Sequence, residues 1–127
     1  MINEWILLIL LTFLGSAMGG FCRYLLSERI ASRFGKRFPV GTMAVNVSGA
    51  LLIGFIWVAA TPGPLRDFLT FGFLGGYTTV SSFTLNTLNL LQDGEWLYAG
   101  WNLAGTYTLC LAAVFTGAGF AQLMPSL

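Results

Sequence analysis

Gly72-Phe73-Leu74-Gly75-Gly76-Tyr77-Thr78-Thr79-Val80-Ser81-Ser82-Phe83 lies in a segment that carries no charged residue between Asp67 and Asp93. An uncharged, apolar segment of that length reads as a membrane span, yet its middle is a poor helix. Gly75 and Gly76 are weak helix formers, and Thr78-Thr79-Val80 is a β-branched run. The stretch therefore predicts a helix that breaks here. In lipid a break frees N–H and C=O groups that no water reaches. It survives where protein buries it or where it holds an ion. Ser81, Ser82 and Phe83 follow at once, supplying two hydroxyls and an aromatic edge. Freed carbonyls beside a short polar and aromatic ladder point to an ion site next to an ion path.

The rest of the chain agrees with a membrane setting. Its 127 residues are 56% hydrophobic and 9% charged, with a mean hydropathy of +0.77. At about 20 residues per span, apolar segments use nearly the whole length as four crossings. The expected fold is an all-α membrane protein of four transmembrane helices, the third broken near its middle, with residues 1–127 forming a single domain. The formal net charge of +1 argues against nucleic-acid binding. Histidine is absent, which removes the commonest general base and metal ligand. Cys22 and Cys110 both fall in apolar spans and read as small buried hydrophobes rather than a disulfide or a metal pair.

Span one is expected from about Trp5 to Leu26. The leading Met1-Ile2-Asn3-Glu4 carries an acid where a cleavable signal would carry basic residues, so this run is read as a real helix. Gly15-Ser16 and Gly19-Gly20 lie four apart and let another helix approach closely. Ser27 to Phe38 forms a basic loop with Arg29, Arg33, Lys36 and Arg37 against Glu28, expected to lie on the headgroups as an amphipathic stub. Span two follows Pro39 and runs to about Ala60. Its Thr42, Asn46 and Gly49 share one helix face. Thr61-Pro62-Gly63-Pro64 is a turn by composition. Span three runs from Arg66 to about Leu91, then a short acidic loop, Gln92 to Trp96, leads into span four, Leu97 to Leu123. Asn102, Tyr107, Thr108 and Thr116 are candidates for a polar track along this last span.

These motifs, taken in order, resemble the small bacterial fluoride channels of the Fluc or CrcB family. The likeness is carried by Gly15-Ser16 through Arg23-Tyr24, by Gly41-Thr42-Met43-Ala44-Val45-Asn46 with Gly49 and Gly54, and by Gly72 through Phe83. The resemblance implies an antiparallel, dual-topology homodimer in a bacterial inner membrane, with two fluoride pores along the interface. It also implies a structural sodium ion at the centre, held by the backbone carbonyls of Gly75 and Thr78. Asn46 and Phe83 match pore residues, Ser81 the hydroxyl near the pore aromatics, Thr42 a vestibule threonine and Arg23 a first-span arginine. Two positions depart from the pattern. Val80 stands where the family usually has its first pore phenylalanine, and Asn86 where many members carry a glutamate.

The implied chemistry is consistent with the residue types. Fluoride is small and strongly hydrated, so a pore must replace its water with donors that do not hold it too tightly. Amide and hydroxyl groups do this, as does the positive edge of an aromatic ring. Each residue also has a plainer reading. Asn46, Thr42 and Ser81 serve equally as interhelical hydrogen-bonding groups, and the break as a packing kink. Arg23 is either snorkelled to the headgroups or part of a positive vestibule. At a helix centre it would cost roughly 2.5–3.5 kcal/mol on insertion scales.

Charge bears on topology and on rival functions. Loops one and three share a side and hold four Lys or Arg, whereas the other side holds only Arg66. The positive-inside rule prefers the basic loop in the cytoplasm, which pulls against dual insertion. The antiparallel pair remains the expectation, because one protomer shows no inverted repeat and two broken helices must meet. A small multidrug transporter has similar size, but its proton coupling requires an embedded glutamate in span one, where only Glu4 occurs. A non-conducting accessory subunit is the other rival. With no acid between the span ends, no histidine and no phosphate loop, enzymatic activity is not expected.

Overall fold

A computed structural model describes residues 1–124. Helix α1 spans Ile2–Phe34. Its 33 residues make a rod roughly 50 Å long, well beyond the ~30 Å hydrocarbon core. The basic stretch after Ser27 is thus not a separate stub. It continues α1, because Leu25 through Phe34 contains no glycine or proline to stop a helix. Gly35 ends it, adopting φ 87° while its N–H bonds the Ala31 carbonyl at 2.9 Å.

Helix α2, Val40–Ala59, begins directly after Pro39, and the Pro62-Gly63-Pro64 turn follows it. The third crossing is assembled from pieces: α3 (Pro64–Asp67), a π-helical stretch (Phe68–Leu74), α4 (Gly75–Tyr77) and α5 (Ser81–Gln92). Helix α6, Trp96–Leu123, completes the bundle. All regular structure among the described residues is helical, and α1, α2 and α6 are each long and apolar enough to cross a membrane.

The break falls at Thr78–Val80, where Thr78 turns extended with φ −82° and ψ 158°. The two glycines before it do not unwind the helix. Gly75 holds ordinary helical angles, φ −61° and ψ −38°. Gly76 instead permits close packing, because a Cβ there would strike the Ser16 carbonyl. Gly19 likewise lies against the Phe73 carbonyl, and a Cβ on Gly15 would sit 2.8 Å from the Gly72 Cα. The spaced small residues of α1 therefore seat it on the first half of the third crossing.

Helix α2 packs along α6 by the same device, with Gly54 against the Val114 carbonyl and Gly117 against the Leu51 carbonyl. A small core of Val45, Leu74 and Tyr77 lies where α2 meets the third crossing. Large apolar side chains cover the outside, among them Trp5, Phe13, Phe21, Trp101 and Phe115, as a lipid solvent requires. Both cysteines are free thiols, and Cys22 is exposed on this outer surface rather than buried.

Candidate functional site

An unwound helix inside a bilayer must find partners for its backbone. Here α2 supplies them. Asn46, buried one turn into the core, donates from Nδ2 to the Thr79 carbonyl at 2.8 Å, and its Oδ1 accepts the Thr79 N–H at 2.7 Å. The amide thus mimics a peptide group and closes both backbone polar atoms of Thr79, the residue after the extended Thr78. The Thr79 hydroxyl then accepts the Ser82 N–H at 3.1 Å, which satisfies a free donor at the start of α5. A glycine at position 49 makes room for the turn, since a Cβ there would meet the Thr78 methyl. Tyr77 is fixed from the same helix by a 2.9 Å hydrogen bond with Ser48.

The carbonyls just before the break are left differently. Among the described residues, no hydrogen bond reaches those of Gly75, Gly76 or Tyr77. The Thr78 carbonyl accepts only a long bond of 3.5 Å from Arg23 Nη1. Arg23 therefore points inward to the break instead of snorkelling. The described residues contain no cluster of His, Cys, Asp or Glu suited to a metal. A cation here would rest on neutral carbonyl oxygens, the donor set that a hard ion such as sodium takes. Gly75 fits that role by having a free carbonyl on an exposed residue. Thr78 fits it less simply, because the Arg23 guanidinium approaches the same oxygen.

This face opens into a groove of about 300 Å³ lined by Asn46, Gly75, Thr78, Val80, Phe83 and Tyr107, among others. Phe83 and Tyr107 meet edge to face, with ring centroids 5.8 Å apart at 86°. Val80 projects into the open and is 77% exposed. Thr42 lies elsewhere, in a second cleft of about 200 Å³ shared with Ser27, Lys36 and Asn86. There the Asn86 Nδ2 donates to the Thr42 hydroxyl at 2.9 Å, whereas a carboxylate at position 86 could only accept from it. Ser81 is exposed, with its hydroxyl 3.2 Å from that of Thr79.

The polar residues of span four occupy different settings in the protomer. Asn102 and Thr106 are buried, Tyr107 lines the groove, and Thr108 and Thr116 are exposed and outside it. The Thr116 hydroxyl is spent on the Ala112 carbonyl of its own helix. Sequence reasoning overlooked Thr79, the backbone partner of Asn46, and Thr87, which accepts the Asn102 amide at 2.9 Å. The helical spacing of Phe83 with Thr87, and of Asn102 with Thr106, was the available signal.

Outside the bilayer, Arg37 binds Glu95 at 2.9 Å and lies over the Tyr98 ring. This ties the end of the first loop to the start of α6. The hydrogen bond and charge of Glu95 raise the Arg37 pKa above its ordinary value.

Three apolar spanning helices, with an interrupted crossing between the second and third of them and a groove at the interruption that carries a few polar groups, define a small multi-pass membrane protein of the ion-pathway type. The chain belongs to the CrcB family: the family model described as "CrcB-like protein, Camphor Resistance (CrcB)" matches residues 10–118. It is 47% identical over 111 residues to a "Fluoride-specific ion channel FluC" of Opitutus terrae, covering 82% of this chain and 84% of that one. A "Fluoride-specific ion channel FluC 2" of Bradyrhizobium diazoefficiens is 49% identical over 110 residues, covering 81% and 80%. Another of that name, from Rhodopseudomonas palustris, is 46% identical over 124 residues, covering 91% and 94%. These relatives are ion channels by name and not enzymes, and with the apolar helices they assign the chain to the bacterial inner membrane as a multi-pass protein.

Proposed function

We propose that this protein is a passive, fluoride-selective channel that lets fluoride leave the cytoplasm, working as an antiparallel homodimer with two pores at the interface. The observation that carries the reading is the open groove. It combines amide, hydroxyl and aromatic-edge groups with the Gly75 carbonyl, which the protomer itself leaves unpaired. A single copy leaves these few polar groups open toward lipid, where each unsatisfied one costs several kcal/mol. A second copy laid across the break would cover it and close the groove into a conduit. The names of the relatives supply the ion.

In this reading Phe83 offers ring edge and Asn46 its remaining N–H to the anion. Ser81 and the residue at 80 lie along the approach, Thr42 serves as a vestibule group in its own cleft, and Arg23 sets a positive potential at the break. Tyr107 backs Phe83. A sodium ion held by Gly75 and Thr78 carbonyls of both copies would tie the two breaks together as a structural element. Its contribution is a fixed positive charge that satisfies carbonyls no donor reaches. Dual insertion follows from the antiparallel pair.

Fluoride efflux from liposomes holding the purified protein tests the reading, run beside Phe83→Ile and Asn46→Ala. Fluoride efflux that far exceeds chloride efflux, and that falls in Phe83→Ile, supports it. Equal leak of the two anions, or no efflux, removes it. Orientation is tested separately with single cysteines placed at either end in a background lacking Cys22 and Cys110. Labelling of each cysteine from both sides of the membrane supports dual insertion, and labelling from one side alone overturns it.

A further inference from the structure

We infer that Asn102 is a positioning residue for Phe83, acting through Thr87. This rests on the reading of Phe83 as a pore residue. Asn102 is the most enclosed polar side chain among the described residues, at 1% exposure. A carboxamide so placed in a bilayer is costly unless it is bonded. Its Nδ2 donates to the Thr87 hydroxyl at 2.9 Å. That hydroxyl has one proton, which it donates to the Phe83 carbonyl at 2.9 Å. The Asn102 Oδ1 accepts the Thr106 hydroxyl at 3.4 Å. The relay therefore has a direction, from the interior of α6 through a single hydroxyl to the backbone of the pore aromatic.

Helix α5 needs such a tie. It starts after the break, so no preceding helical turn holds it, and its only buried side chain, Leu90, lies near its far end. Apolar packing fixes the rotation of α5 at Leu90, two turns from Phe83. Nearer Phe83 the contacts are polar and aromatic: Asn86 reaches Thr42 on α2, while Thr87 and the Tyr107 ring, the two that touch Phe83 itself, are seated by α6. The setting matters because an aromatic ring attracts an anion with its edge and repels it with its face. A roll of α5 would exchange one for the other.

The test uses 4-fluorophenylalanine placed at position 83 alone and read by fluorine NMR in the purified, full-length protein. Thr87→Val keeps the side-chain volume but loses the hydroxyl, and Asn102→Leu removes the amide. Each is expected to shift or split the position-83 resonance. Thr87→Ser restores the hydroxyl and is expected to return it to the wild-type position. Ser48→Ala, which removes a hydrogen bond to Tyr77 instead, is expected to leave it in place. In liposomes Thr87→Val should slow fluoride efflux roughly tenfold while Thr87→Ser does not. If Asn102→Leu does not fold, Thr87→Val carries the comparison. A resonance unmoved by Thr87→Val, or moved equally by Ser48→Ala, overturns the inference. Absence of efflux from the wild type strikes the channel reading instead and leaves the NMR comparison valid.

Discussion

Asn46 and Thr79 are joined like two strands of a sheet, although one is a side chain in a helix and the other a backbone residue between helices. Each donates once to the other, at 2.8 and 2.7 Å. The protein thus satisfies the buried Thr79 peptide of its broken span from within one copy, and leaves the carbonyls before it for something else.

Removing that amide should destabilise the protein before any question of ion flow. Asn46→Leu leaves an N–H and a C=O buried and unpaired, at about 1–3 kcal/mol each. The thermal midpoint in detergent is expected to fall by several degrees. Asn46→Asp keeps the acceptor for Thr79 N–H but loses the donor, and should fall between the two. A midpoint equal to wild type for Asn46→Leu would show that the break holds itself without α2.

The contact between α1 and the third crossing has no slack. A methyl at Gly19 or Gly76 meets backbone carbonyls, of Phe73 and Ser16, that cannot swing aside. Gly19→Ala and Gly76→Ala are each expected to cost about 1–3 kcal/mol, the usual range for overpacking. Gly119→Ala is the control, since nothing lies within 4 Å of its Cβ position. It should be neutral or slightly stabilising. Parallel melting curves of the three variants settle the comparison.

Arg23 and a bound cation would compete for the Thr78 carbonyl. Unit charges about 4 Å apart repel by roughly 4 kcal/mol at an effective dielectric of 20. Arg23→Gln removes that repulsion and should lower, by at least roughly tenfold, the sodium concentration that gives half-maximal stabilisation of the dimer. Arg23→Lys should behave more like wild type. Melting of the three proteins across a sodium series, with potassium holding ionic strength, provides the readout. No dependence on sodium in any of them would remove the ion from the centre.

Val80 offers room for an aromatic residue. Its side chain is 77% exposed in the protomer and borders the groove, so Val80→Phe should fold as well as wild type. An added ring edge along the route is expected to speed fluoride efflux, by up to roughly tenfold if it lowers the barrier by ~1.4 kcal/mol. Unchanged or slower efflux with unchanged stability would mean that the route does not need a ring there.

The helical spans, their near boundaries and the interruption of the third were legible because lipid imposes a simple rule on composition. Apolar runs of bilayer length stand out, and so does a β-branched polar run inside one. The continuation of α1 to Phe34 was hidden by charge: Arg29 and Arg33 look like a loop, although no residue there breaks a helix and Gly35 is the first to stop it. The π-helical turns from Phe68 to Leu74 left no mark in composition, since a shift of backbone bonding from i−4 to i−5 asks for no particular residue type.

Sequence by itself determined that this chain lives in a membrane, where it unwinds, and which residue types stand near the unwound point. Tertiary structure decided which of those residues meet. It joined Asn46 to Thr79, Arg23 to Thr78 and Asn102 to Thr87, and it turned Thr108 and Thr116 away from the groove. The reason is that hydropathy is summed along a chain, whereas a hydrogen bond needs two atoms within about 3 Å of each other. Only the packing of four crossings, set here by glycines that admit backbone against backbone, brings residues so far apart in sequence to that distance.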